Sequence, residues 1–211
     1  MSELKSCIKE SAGYLFFRNP VLVLGIVIGQ LAAGATNLQN AAALSVTYFF
    51  VVVPVLVFAS LLGKKLPGWL KVVVYTLISA AMLVPSYFIT GTFSATIFDS
   101  AGIYPALLAV STVPVVYSSK IAENRKPLHA FINGICIALG FALTAIFIGV
   151  LREFLGSGSI WGFKFAQPLF PAAKLPTWGF IFLGFMAAMV NFVKEYIVKP
   201  KNSAGGEEEK T

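Results

Sequence analysis

Six long apolar blocks, separated by brief polar punctuation, organise this chain. They run from about Pro20 to Ala35, Ala41 to Leu62, Leu70 to Ile89, Gly102 to Tyr117, Ala130 to Leu151 and Trp178 to Val198. Between them lie turn residues and charges: Asn37 to Asn40, Gly63-Lys64-Lys65, Asp99-Ser100, Glu123-Asn124-Arg125-Lys126, and a longer stretch from Gly156 to Pro176. A helix rises ~1.5 Å per residue and the hydrocarbon core of a bilayer is ~30 Å thick, so blocks of this length predict membrane-spanning helices. The expected fold is all-α and integral to the membrane, with six transmembrane helices across residues 19–198. Residues 1–18 are expected to form a cytoplasmic N-terminal arm, with no small-residue cleavage pattern of a signal peptide. Residues 199–211, Gly-rich, charged and without large apolar side chains, are expected to be a disordered cytoplasmic tail.

Blocks one and four differ from the rest. Each is only about 16 residues long. The first is interrupted by Gly25, Gly29 and Gly34, the fourth by Pro105 and Pro114, and each opens one half of a three-plus-three arrangement. Short, Gly/Pro-broken spans in corresponding positions point to an inverted repeat whose broken helices meet near mid-membrane. Ordinary kinked helices are the alternative.

Composition agrees with lipid as the solvent. The chain is 57% hydrophobic and 12% charged, with a mean hydropathy of +0.82, whereas about a quarter of a soluble domain is charged. The net charge is +7, and its distribution is one-sided. Assigned alternately to the two faces, thirteen lysines and arginines fall with the termini and the second-to-third and fourth-to-fifth loops. Only Arg152, Lys164 and Lys174 fall on the other face. Basic loops stay cytoplasmic, so both termini are expected inside. Nothing interleaves aromatics with bases as a nucleic-acid surface does, and no such partner is expected.

The chemistry is sparse. No Asp, Glu, Lys, Arg or His falls in the central part of any block, which disfavours a self-contained proton pump or charged-substrate transporter. His129, beside Pro127, reads as a helix-end residue. Cys7 and Cys136 have no metal-ligand or redox spacing. No nucleophile–base pair or phosphate loop is legible, so no catalytic and no metal residues are expected. Small residues at four-residue spacing, Gly25, Gly29 and Ala33, then Gly134, Ala138 and Ala142, predict close helix packing. Ser111, Thr112, Asn133 and Thr144 either line a path or bond across helices. The stretch from Leu151 to Gly162 stands apart: an adjacent Arg152-Glu153, then Gly156, Gly158, Trp161 and Gly162, reads as a span stopping in a constrained turn at the interface. Arg152 can reach carbonyls or headgroups there, and Trp161 suits the aromatic belt.

That stretch resembles the REhhGxGxhxG signature closing the fifth helix of the membrane subunits of the Rnf and Nqr electron-transport complexes, through Arg152, Glu153, Gly156, Gly158 and Gly162. Supporting features follow in order: Asn19-Pro20 before the first span, Pro67 after the second, Gly102-Ile103 with Pro105 at the fourth. Asn133-Gly134 and Leu139-Gly140-Phe141 lie in the fifth, and Gly179 to Gly184 with Asn191 in the sixth. The orientation is similar to that of the family members of Rnf E and Nqr D type.

The resemblance implies a bacterial or archaeal cytoplasmic (inner) membrane complex. It would pass electrons from reduced ferredoxin or NADH to NAD or quinone and translocate Na⁺ or H⁺. It also implies an inverted sister subunit, of Rnf A or Nqr E type, further subunits, and, in the family complex, FMN and FAD or riboflavin on this and other subunits. In that family the sister pair holds a [2Fe-2S] cluster between broken half-helices, each subunit giving two cysteines. Here those positions fall at or near Gly29 and Ser111, neither of them a thiolate donor. The expectation is a subunit that is not catalytic alone and holds no cofactor itself. The alternative is a repurposed homologue acting as a small membrane transporter or channel.

Overall fold

The computed structural model describes residues 19, 21–23, 25, 27–93, 101–111, 126–193 and 195–196. Six helices order the described residues: α1 Ile28–Gly34, α2 Leu38–Leu62, α3 Gly68–Phe93, α4 Tyr104–Val110, α5 Pro127–Ser157 and α6 Pro176–Val193. A two-stranded antiparallel hairpin, β1 Ser159–Ile160 and β2 Phe163–Lys164, and a 3-10 turn at Pro171–Lys174 join α5 to α6. Four of the helices, α2, α3, α5 and α6, are long and apolar enough to cross a membrane. The other two, α1 and α4, have 7 residues each and lie inside the first and fourth apolar blocks. The expected arm, tail, Cys7 and Thr112 lie outside the described residues.

Helix boundaries shift from the expected ones for local reasons. The second helix starts at Leu38, not Ala41, because Asn37 caps it by accepting from the Asn40 backbone N–H at 2.7 Å. The asparagines that read as a turn are thus a cap and a first helical turn, with the Asn40 amide donating to Thr36 Oγ1 at 3.0 Å. The fifth helix passes through Leu151 and ends only at Ser157, where Gly158 takes a φ of 63°. A left-handed glycine after the last turn is the usual helix stop. Arg152 and Glu153 therefore belong to the helix itself and do not stand beyond its end.

α2 is the centre of the molecule. It lies against α5 along most of its length and also against α3 and α4. The α2–α5 seam has a stacked pair, Tyr48 and Phe141, with ring centroids 4.1 Å apart. Two glycines of α5 bring the backbones close: a Cβ on Gly134 would lie 3.1 Å from Val53 Cα, and one on Gly149 would lie 2.7 Å from Ala41 Cβ. Such close approach replaces the hydrophobic drive that lipid removes. By contrast, over an 18-residue apolar stretch of each helix only 17% of residues are buried in α3 and 11% in α6, against 61% in α2. Their outward residues, Leu77, Val84 and Phe88 on α3 and Phe180, Ile181 and Phe185 on α6, are apolar. Faces like these suit lipid or neighbouring spans.

Candidate functional site

Two charged side chains, adjacent in sequence, are buried in the last turns of α5. Arg152 is fully buried and Glu153 is 3% exposed. Neighbouring helical residues point about 100° apart at 3.6 residues per turn, so each serves a different part of the fold. The Arg152 guanidinium donates to five backbone carbonyls. Nη1 reaches Ala32 O at 2.5 Å and Ala35 O at 3.0 Å, at the carboxyl end of α1. Nε reaches Ala173 O at 3.0 Å, and Nη2 reaches Lys174 O at 2.7 Å and Leu175 O at 3.2 Å, in and after the 3-10 turn. A rigid fork of five N–H donors is what such an arrangement needs, and lysine lacks it.

Glu153 does the converse. Its Oε2 accepts from the Leu38 N–H at 2.8 Å, the first residue of α2. Its Oε1 accepts from the Gly162 N–H at 2.8 Å and from Ser159 Oγ at 3.2 Å in the hairpin. The last carbonyls and first amides of helices have no partner within the helix, and a cation at the former and an anion at the latter also match the helix dipole. The pair thus clamps the junction of α1 and α2 to the end of α5. A buried charge is tolerated where its hydrogen bonds are filled, and here both are.

The glycines of the motif make room for this clamp. A Cβ on Gly156 would meet Lys174 Cγ at 2.8 Å, and one on Gly158 would meet Ala166 O at 2.1 Å. The carbonyl of Gly158 accepts from the Phe165 and Ala166 amides. Trp161 and Gly162 form the two-residue hairpin turn with φ of 56° and 84°, the positive values that a type I′ turn requires. From the other side, Gly179 of α6 sits so close to Ala32 that a Cβ would lie 2.4 Å from its carbonyl oxygen.

At mid-length on α5 a second polar anchor holds the entry of the chain. The buried Asn19 donates through Nδ2 to Gly140 O at 2.9 Å and to Thr144 Oγ1 at 3.2 Å. Its Oδ1 accepts from the Val21 N–H at 2.9 Å. Thr144 therefore bonds across segments; Asn133, also buried, lies on α5 one turn before Ile137.

The remaining sequence-derived positions are less engaged. Gly25 has a φ of 66° and precedes α1, so Gly25, Gly29 and Ala33 do not form one helical row. Backbone turned left-handed at Gly25 and again at Val27 (φ 67°) breaks the periodicity that the spacing implied. Gly29, in the first turn of α1, has no atom within 4 Å of where a Cβ would be. Gly134 and Ala138, in contrast, are buried on α5. Of the close contacts that spacing missed, at Gly34, Gly149 and Gly179, Gly34 and Gly179 have no small residue four positions away, while Gly149 has Ala145. Ser111 ends α4, and its hydroxyl donates to Leu108 O at 2.7 Å. α1 touches α4, and the Ser79 hydroxyl of α3 donates to Ala109 O beside Ser111. His129 lies in the first turn of α5, and Cys136 is half-buried farther along it. Among the described residues no group of three His, Cys, Asp or Glu side chains converges.

A thiolate-held iron–sulfur cluster does not fit the donors at the broken helices. Gly29 offers no side chain, and the Ser111 hydroxyl is spent on its own helix. Clusters of this type need cysteine sulfur.

Comparison with known proteins agrees with the signature. A family model described as an Rnf-Nqr subunit, membrane protein, matches residues 7–187. The E-type subunit of the proton-translocating ferredoxin:NAD(+) oxidoreductase complex of Clostridium ljungdahlii is 25% identical over 190 residues, covering 89% of each chain. The E-type subunit of the ion-translocating oxidoreductase complex of Pasteurella multocida is 24% identical over 193 residues, covering 84% of this chain and 86% of that one. The D-type subunit of the Na(+)-translocating NADH-quinone reductase of Psychromonas ingrahamii is 25% identical over 145 residues, covering 69% of each.

Proposed function

The chain belongs to the Rnf-Nqr family of membrane subunits, and we propose that it is a membrane subunit of an ion-translocating electron-transport oxidoreductase complex. The observation that carries this reading is the family match across residues 7–187, which takes in both short helices and the whole Arg152–Gly162 clamp. Within the complex it acts as a scaffold rather than as a cluster ligand, because Gly29 and Ser111 supply no thiolate. Redox centres, [2Fe-2S] and flavin, reside on other subunits. Its place is the bacterial or archaeal cytoplasmic membrane, with both termini inside, six spans and two inverted three-helix halves. The short helices α1 and α4, at corresponding places in the two halves, support that last reading. An inverted sister subunit, of Rnf A or Nqr E type, is its expected neighbour.

The test is affinity purification from native membranes in mild detergent, with co-purifying chains identified by mass spectrometry. Recovery with flavin- and iron–sulfur-bearing subunits is the expected result. Recovery alone, or only as a homo-oligomer, would overturn the assignment and make a small transporter or channel the leading reading.

A further inference from the structure

The arm that joins α5 to α6 has no part in the clamp beyond its attachment points, yet it is built to be rigid and apolar at its surface. Phe163, Phe165 and Leu169 are 69%, 74% and 71% exposed, and Trp161 is 45% exposed. The arm is held at several points: Gly162 N–H on Glu153, the Phe165 and Ala166 amides on Gly158 O, and the Phe170 amide on Leu155 O at 2.8 Å. The ring of Phe170 meets Trp178 edge-on, 4.8 Å between centroids, in the first turn of α6. That contact sets the arm level with the ends of the spans. From Gly156 to Pro176 the only charges are Lys164 and Lys174, with no acid, and both lysines are exposed.

We propose that this arm is an interfacial anchor that inserts Trp161, Phe163, Phe165 and Leu169 among the upper acyl chains while Lys164 and Lys174 bind anionic phospholipid headgroups. The chemistry is that of segments lying in the membrane–water interface, with aromatic and leucine side chains inward and lysines at headgroup level. Several arm amides are already satisfied within the protein, as entry into the interface demands. Two lysines without any acid match the charge of anionic phospholipid headgroups on the face opposite the termini. The anchor also gives the clamp a purpose beyond folding: Glu153 ties the hairpin turn to the start of α2, so the lipid contact fixes the level of the α1–α2 junction.

The test uses the full chain in its native membranes with the photoreactive benzoylphenylalanine in place of Phe165. After irradiation the adducts are identified by mass spectrometry. Phospholipid adducts are expected, enriched in anionic species over their share of the membrane, with the enrichment reduced several-fold in K164Q/K174Q. K164Q alone, remote from the Lys174 packing beneath Gly156, moves it in the same direction. An adduct to a polypeptide would mean that a neighbouring protein covers the arm and would overturn the proposal. So would lipid adducts without anionic enrichment. Each variant is first checked for monodisperse elution, and the adduct formed by the lysine-intact chain decides the matter even where a lysine variant fails to fold.

Discussion

The two ends of α1 are built on opposite principles. At its carboxyl end the carbonyls of Ala32 and Ala35 are gripped by a fully buried guanidinium, and Gly179 of α6 closes against Ala32. At its amino end the backbone is left-handed at Val27, no side chain caps the helix, and Gly29 faces open space. The carboxyl end of α4 resembles the second case, with the Ser111 hydroxyl bonding to its own last turn. A short helix is not stable by itself, so α1 is held in place from the clamp end. The other end is left for whatever the family scaffold meets in the membrane. In a chain whose relatives belong to oxidoreductase complexes, the fastening lies at Arg152, while Gly29 and Ser111 carry no thiolate. The two ends of one short helix thus differ: one is fastened by buried hydrogen bonds, the other is not.

Breaking the fastening should have the largest effect. Arg152→Ala leaves five carbonyls without their donor, those of Ala32, Ala35 and Ala173 in buried bonds. A loss of about 3–5 kcal/mol is expected, since each buried carbonyl left without a donor costs about 1–3 kcal/mol and local relaxation recovers part of it. Thermal unfolding in detergent would measure it, and hydrogen exchange should rise both at 28–38 and at 171–175. Arg152→Lys should recover only part of the loss, since one ammonium cannot span two separate carbonyl groups. Full stability in Arg152→Ala would mean that packing against α2, α4 and α6 is enough to hold α1.

A smaller effect is expected where the clamp meets the hairpin. Gly158→Ala forces an L-residue into the left-handed region, which costs about 1–2 kcal/mol. Its Cβ would also lie 2.1 Å from Ala166 O, so the arm must shift. The expected result is a lower melting temperature with increased exchange of the Phe165 and Ala166 amides, while the α1 amides stay protected. Spread of the change into α1 would show that arm and short helix are one unit, not two regions meeting at α5.

How much of this could be read from sequence follows the same division. The apolar blocks show the four long helices because span length is a property of composition. Arg152-Glu153 stood out because paired charges at the edge of an apolar run are costly and specific. What they grip could not be read, since backbone carbonyls of Ala32, Ala35 and Ala173 leave no trace in residue identity. Asn19 was legible as the opening of a span but not as a buried bond to Gly140, more than a hundred residues away in the chain. The supposed row Gly25–Gly29–Ala33 failed for a related reason: spacing presumes a continuous helix, and the chain is left-handed at Gly25 and Val27. Gly149 and Gly179 make the tightest interhelical contacts of the described glycines instead.

The unfastened ends offer the smallest perturbation and the sharpest geometric question. With Cys7 and Cys136 replaced by alanine, Gly29→Cys adds a side chain where no atom lies within 4 Å, and Ser111→Cys gives up one local hydrogen bond. Together they should change stability by no more than about 1 kcal/mol. If the two short helices converge as halves of an inverted repeat, these cysteines should oxidise to a disulfide, which needs Cα atoms within about 7 Å, or accept a short bifunctional crosslinker. A crosslink would mean that the chain retains the paired geometry and has lost only the sulfur. A folded protein that no crosslinker joins would mean that the amino end of α1 has drifted from α4. Its fastening at Arg152 would then hold the short helix in a different service from the one the family resemblance suggests.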